Sequence, residues 1–394
     1  MKCKSQNLTD RQKNNLCLIP NRIDTLTSIR FIMILTIAIN HLEFFEDDNP
    51  NFYSMHFHNA GMGVDYFFLL SGFGLTLSHY KKDITALFNG KYSLISAYQY
   101  AKNKVRKLWL WYILTMLIGV PLSLYSMVKY HGVILGCCVT VIQALIGATL
   151  TQSAFCTMTL SHAFNGVCWF LSTLFLLYII YPLLERWNDS IKASNKKIVC
   201  YIIADLIVLS LLHIIFENIE YFFSIHGLDQ LNDLAYGSPY IRIFDFALGI
   251  LICDLFVSRY NKPIKNATSS EIILTIIFFA WYFGRNGIFA DLPSEFSYIV
   301  DVVISAFILY VFAFQSGFVS RLLQSKAMVK LGDLSMYIFL FHYAIRINLV
   351  PIVGHFIGES TVLNWIYVVI IILGTIVMTA FASNIDQKKK LKTQ

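Results

Sequence analysis

Arg30 and His41 stand eleven residues apart in a segment, Leu26-Thr27-Ser28-Ile29-Arg30-Phe31 through Asn40-His41, that is otherwise largely apolar. In an α-helix eleven residues make three turns plus about 20° and rise about 16 Å, so both side chains share one face at different depths. A charge inside a membrane-spanning helix costs about 2.5–3.5 kcal/mol even on the mild insertion scale, so such residues face a cavity or a partner and mark a site. An arginine fork holds phosphate or carboxylate. An imidazole, with a reference pKa of about 6.5, takes a hydroxyl proton near neutral pH or carries an acyl group covalently. Spacing alone also fits a snorkelling arginine and a histidine that merely ends the helix.

Further along, Leu331-Gly332-Asp333-Leu334-Ser335-Met336-Tyr337 leads to His342, with Ser335 and His342 two turns apart on one helical face. Lys102, Lys104, Arg106 and Lys107 precede Trp109-Leu110-Trp111-Tyr112. Such a cluster suits phosphate oxygens or lipid headgroups with an interfacial aromatic belt. Gly61-Met62-Gly63-Val64-Asp65-Tyr66-Phe67-Phe68 continues to Ser71-Gly72-Phe73-Gly74, where the glycines read as close helix packing. Arg242 and Asp245, Asp301, Asp205 and His213 are further polar residues in apolar segments. Glu43 and Glu46 follow His41 and either orient it or are exposed loop acids. The eight cysteines form no CxxC pair, so they read as packing residues, and no metal site is visible.

The elements that must position these groups are membrane helices. Of the 394 residues 56% are hydrophobic, 15% aromatic and only 14% charged, and apolar runs long enough to cross a hydrocarbon core of about 30 Å recur along the chain. Spans are expected near 28–44, 61–79, 107–127, 166–184, 198–216, 239–257, 270–284, 297–315, 331–350 and 362–382. The stretch 134–155 is ambiguous. Counting it as a crossing puts the basic loops 80–106 and 185–197 on opposite sides, whereas leaving it re-entrant or outside puts every Lys/Arg-rich loop on one side. The positive-inside rule therefore selects an all-α bundle of about ten spans with both termini cytoplasmic. The net charge of +7 is spread over short loops and the tail Lys388-Lys389-Lys390-Leu391-Lys392, which fits topology and anionic lipid rather than a nucleic-acid partner. Residues 1–25 are polar and lack a signal-peptide core, and read as a cytoplasmic tail. Residues 26–384 form one membrane domain and 385–394 a basic tail.

These motifs, in this order, resemble the integral-membrane acyltransferase-3 family. Arg30 and His41 match its Arg-x10-His signature, the segment Gly61 to Phe73 is similar to its Gly-Val-Asp-Phe-Phe…Ser-Gly-Phe stretch, and Ser335 through His342 resembles its late Ser-Tyr…Leu-x-His motif. Two departures stand out. Where the family often has Arg-x-x-Arg after the second span, this chain has Lys104 and Lys107 around Arg106, and lysine keeps the charge without the bidentate fork. Leu174 stands where many members carry a glutamate, so no role of that residue transfers.

The resemblance implies a membrane-embedded acyltransferase that moves an acetyl or other short acyl group from cytoplasmic acyl-CoA to a hydroxyl of an extracytoplasmic or lipid-linked glycan, in the inner membrane, with no permanently bound cofactor. On that reading His41 is the catalytic base or nucleophile. Arg30, with Lys104, Arg106 and Lys107, holds the donor phosphates. Ser71, Tyr337, His342, Ser335 and Arg242 line the cavity or orient substrate. The rivals are a transporter of lipid-linked sugar, disfavoured by the lack of repeated halves, and a sensor that kept the fold without the chemistry.

Overall fold

The computed structural model describes residues 10–42, 52–81, 92–227, 231–262, 264–357 and 361–393, and these are all-helical, with turns and short 3₁₀ segments between. Continuous apolar runs fold this way in lipid because a helix satisfies its own backbone hydrogen bonds. The helices are α1 (Asp10–Leu18), α2 (Asp24–Asn40), α3 (Phe52–Phe57), α4 (Gly61–Lys81), α5 (Leu94–His131), α6 (Val133–Ala148), α7 (Met158–Ser161), α8 (Trp169–Asn188), α9 (Asn195–Ile225), α10 (Pro239–Arg259), α11 (Ala267–Gly284), α12 (Ser294–Ala313), α13 (Phe318–Leu323), α14 (Lys326–Ile357) and α15 (Thr361–Thr393). Among the described residues seven segments are long and apolar enough to cross a membrane. They contain α4, α5, α8, α9, α11, α12 and the apolar part of α15. α2 is 17 residues long, and α10 carries Arg242, Asp245 and Asp254 within its apolar run.

Contacts give each helix a direction. Tyr100 stacks on Tyr181, so α5 and α8 are antiparallel once Leu150, near Tyr112, is placed beside Ser172. His213 stacks on Tyr298 while Glu217 accepts from Ser294, so α9 and α12 are antiparallel. Tyr337 meets Asp386 and Tyr367 meets Arg346, so α14 and α15 are antiparallel. α2, α4, α5, α8, α9, α10, α11, α12, α14 and α15 thus alternate in direction along the chain. α6 falls outside this alternation. It descends along α5, with Gly136 against Val128 and Gly147 against Met116, and the chain then turns at Leu150 so that α8 continues the descent. The ambiguous stretch 134–155 holds the 16-residue apolar helix α6, shorter than the seven long apolar segments and antiparallel to α5.

Two glycine contacts set the core. A Cβ on Gly72 would overlap the carbonyl of Phe246, and one on Gly249 the carbonyl of Leu69, so the α4 and α10 backbones touch, and they run parallel, since Asp65 pairs with Arg242 near one end and Tyr80 donates to Asp254 near the other. At Gly332 a Cβ would overlap the carbonyl of Thr27, which brings α14 equally close to α2. Both are the small-residue packing of membrane helices.

The terminal segments differ from the tails expected. α1 docks on the bundle: Gln12 donates to the carbonyl of Lys192 at 2.7 Å, Asn15 donates to that of Val257 at 2.6 Å, and Leu16 and Ile19 are buried. At the other end α15 continues as helix through the basic residues, and Asp386 accepts from Trp111 Nε1 at 2.9 Å and from Tyr337 at 2.7 Å. Polar composition made both segments read as tails, but their few apolar and amide side chains are placed to pair with the bundle.

Candidate active site

The parallel packing of α2 on α14 brings His41 and His342 together. His41 is the first residue beyond α2, its backbone N–H still bonded to the Ile37 and Ala38 carbonyls. Its Nδ1 lies 3.0 Å from His342 Nε2, and the rings stack with centroids 5.2 Å apart. Tyr343 meets the His41 ring edge-on at 5.0 Å. His342 Nδ1 in turn lies 2.9 Å from the Ile338 carbonyl.

These contacts fix the tautomers. A carbonyl oxygen only accepts, so His342 Nδ1 carries the proton and, in the neutral ring, its Nε2 keeps a lone pair. That lone pair accepts from His41 Nδ1–H, leaving His41 Nε2 as an unprotonated nitrogen on a partly exposed side chain. A backing group that holds an imidazole in one tautomer is the arrangement of acyl-transfer bases generally.

Arg30 lies about three turns down the same face of α2. Its side chain is partly exposed, and among the described residues no hydrogen bond or ion pair to its guanidinium is found. The phenols of Tyr66 and Tyr178 and the Asp333 carboxylate are within electrostatic range. Ser71 sits nearby: its hydroxyl donates to the Phe67 carbonyl at 2.7 Å and is a neighbour of Tyr178. An unpaired guanidinium can hold an anionic ligand.

The other expected residues are distributed differently. Lys104, Arg106 and Lys107 are exposed on α5, with Lys104 over the Tyr100 ring. The helical period puts Lys104 and Lys107 beside the buried stripe of Ala97, Ala101 and Val105, and Arg106 on the opposite side, pointing away from the bundle. Tyr337 is tied to Asp386 and joins α14, α15 and α5 at a distance from the histidines. Ser335 is buried, with no hydrogen-bond partner for its hydroxyl among the described residues.

Arg242 does not open onto a cavity. Its side chain is 0% exposed and bonds to Asp65 at 2.6 Å, to Asp245 at 2.7 Å and to the Tyr236 carbonyl at 2.5 Å, with the rings of Phe68, Tyr236 and Tyr298 around it. Asp301 is held by Trp281 at 2.6 Å and Arg285 at 3.5 Å. His213 joins the margin of this cluster by stacking on Tyr298. Glu43 and Glu46 lie outside the described residues.

Three residues near the histidines escape sequence reasoning. Arg346, one turn beyond His342 on α14, is within electrostatic range of both rings and rests on the Tyr343 ring. Asn165 is fully buried and donates to the Leu340 carbonyl at 3.0 Å, clamping the segment before α8 onto α14. Tyr343 closes the His41 ring. The only available signal was the one-turn spacing of Arg346 from His342. No cluster of three or more metal-ligating side chains occurs among the described residues. A family model described as an acyltransferase domain matches residues 23–383. No curated protein and no solved structure matches the chain.

Proposed function

This chain belongs to that acyltransferase family, and from this premise we propose that it transfers an acetyl or other short acyl group from acyl-CoA to a hydroxyl of a glycan or lipid-linked sugar on the opposite side of a cell membrane. The observation that carries the reading is the His41–His342 hydrogen bond, which leaves His41 Nε2 free to take a proton. In the proposed reaction the acceptor oxygen attacks the thioester carbonyl carbon and Nε2 takes the hydroxyl proton. A C–O bond forms, the C–S bond breaks, and the proton passes from His41 to the departing CoA thiolate. Arg346 stabilises the tetrahedral oxyanion, a role for which a fixed cation beside the reacting carbon is suited.

Arg30 is the proposed anchor for a phosphate of the donor, with Lys104 and Lys107 at the mouth of the path and Arg106 assigned no contact. The Lys/Arg-rich ends of the helices are taken as cytoplasmic, which places both termini there and Arg30 on the donor side. Supporting this layout, Arg30 and His41 are separated along the helix in the order in which donor and acceptor would arrive.

The test is mass spectrometry of ester-linked acyl groups on envelope glycans from a strain lacking the gene, complemented with intact protein or His41→Ala at matched membrane abundance. Esters restored by the intact protein and lost by about 1,000-fold with His41→Ala support the reading; equal restoration by both removes His41 from the mechanism. A purified protein that gains one acyl mass on incubation with acyl-CoA alone would make His41 a nucleophile instead of a base.

A further inference from the structure

The segment between α6 and α8 carries a histidine, His162, with no part in the mechanism above. His162 Nδ1 lies 2.8 Å from the Ser161 hydroxyl, and Ser161 also neighbours the buried Asp233 carboxylate. The His162 ring, partly exposed, lines a pocket of about 260 Å³ bordered by α5, α6, α7 and α14.

That pocket has the character of a ligand site. Its walls are aliphatic and aromatic with a few placed polar groups. Gln143 ties two walls together by donating to the Thr159 carbonyl at 2.8 Å and accepting from Ser123 at 3.5 Å. No Lys, Arg, Asp or Glu is among its lining residues, so a polyphosphate finds no partner there. It lies beside the histidine pair: His162 is within electrostatic range of His41, and Ile347 in its wall is one turn from Tyr343, which touches His41. Arg30 lies in the opposite direction along α2. One wall residue, Phe164, is held in the left-handed region at φ 65°, at a cost of about 1–3 kcal/mol.

Resting on the acyltransfer reading, we infer that this pocket is the acceptor subsite, that it takes one uncharged sugar ring, and that His162 is a substrate-binding residue whose Nε2 hydrogen-bonds an acceptor hydroxyl. Ser126→Trp fills the pocket, and His162→Ala removes the ring nitrogen while His162→Gln restores a hydrogen-bonding group. The measurements are envelope glycan ester, by the mass spectrometry above, and binding of acetyl-CoA to the purified full-length protein. Ser126→Trp and His162→Ala are expected to lower ester at least tenfold with acetyl-CoA affinity within twofold of the intact protein, and His162→Gln to recover part of the loss. Intact ester levels in Ser126→Trp would overturn the subsite alone. Parallel loss of acetyl-CoA binding in Ser126→Trp would also overturn it, assigning the pocket to the donor. No ester in the strain carrying the intact protein would overturn the acyltransfer reading and this inference with it.

Discussion

Arg30 and Arg242 are both arginines inside apolar helices, yet their surroundings are opposite. Arg242 is sealed: two carboxylates, a carbonyl and three aromatic rings enclose it, and its side chain is 0% exposed. Arg30 keeps some exposure and has no ion pair or hydrogen bond among the described residues. A buried charge is tolerated only when paired and hydrogen-bonded. The first arginine therefore finds its counter-charges within the protein, with one nitrogen left without a hydrogen-bond partner, and holds α4 to α10. The second has no such partners among the described residues. Composition and hydropathy score the two alike; partners separate them.

The largest effect that would break this contrast is on Arg242. Arg242→Ala leaves Asp65 and Asp245 buried without their cation, at a cost of about 3–5 kcal/mol. The variant should lose most of its thermal stability in detergent, and an unchanged unfolding midpoint would refute the structural role. Next comes His342→Phe, which keeps a ring but removes the atom that orients His41. Transfer is expected to fall about 100-fold in kcat with folding intact, read by turnover at saturating donor; unchanged kcat would mean that His41 needs no backing.

Arg30→Ala should act on binding rather than stability. Its expected signature is an acyl-CoA KM raised about tenfold, equivalent to about 1.4 kcal/mol of lost contact, with an unfolding midpoint close to that of the intact protein. A destabilised Arg30→Ala would make the two arginines alike after all. The smallest effect sharpens the donor path. Arg106→Ala should change the acyl-CoA KM by less than about twofold, because exposed charges directed away from a site contribute little, whereas Lys104→Ala with Lys107→Ala should raise it several-fold. The reverse order would move the donor to the outer side of α5.

Much of the architecture was legible from residue type. Apolar run length announced the helices, and the glycines of α4 announced close packing there, as Gly72 against Phe246 shows. What polar composition misjudged were the ends. α1 docks through two amide side chains and two apolar ones, too few to register against a charged background.

The sequence by itself determined that the chain makes an all-helical membrane bundle, that Arg30 and His41 share a face about three turns apart, and that Ser335 and His342 share another. These follow from helical period and from the cost of polar groups in lipid, both local properties. Only the tertiary structure decided that His41 and His342, 301 residues apart, hydrogen-bond, that Arg242 is closed by Asp65 from another helix, and that Tyr337 donates to Asp386. Each depends on which helix lies against which. That is set by close backbone contacts such as Gly332 on Thr27 and Gly72 on Phe246, whose partners no local pattern names.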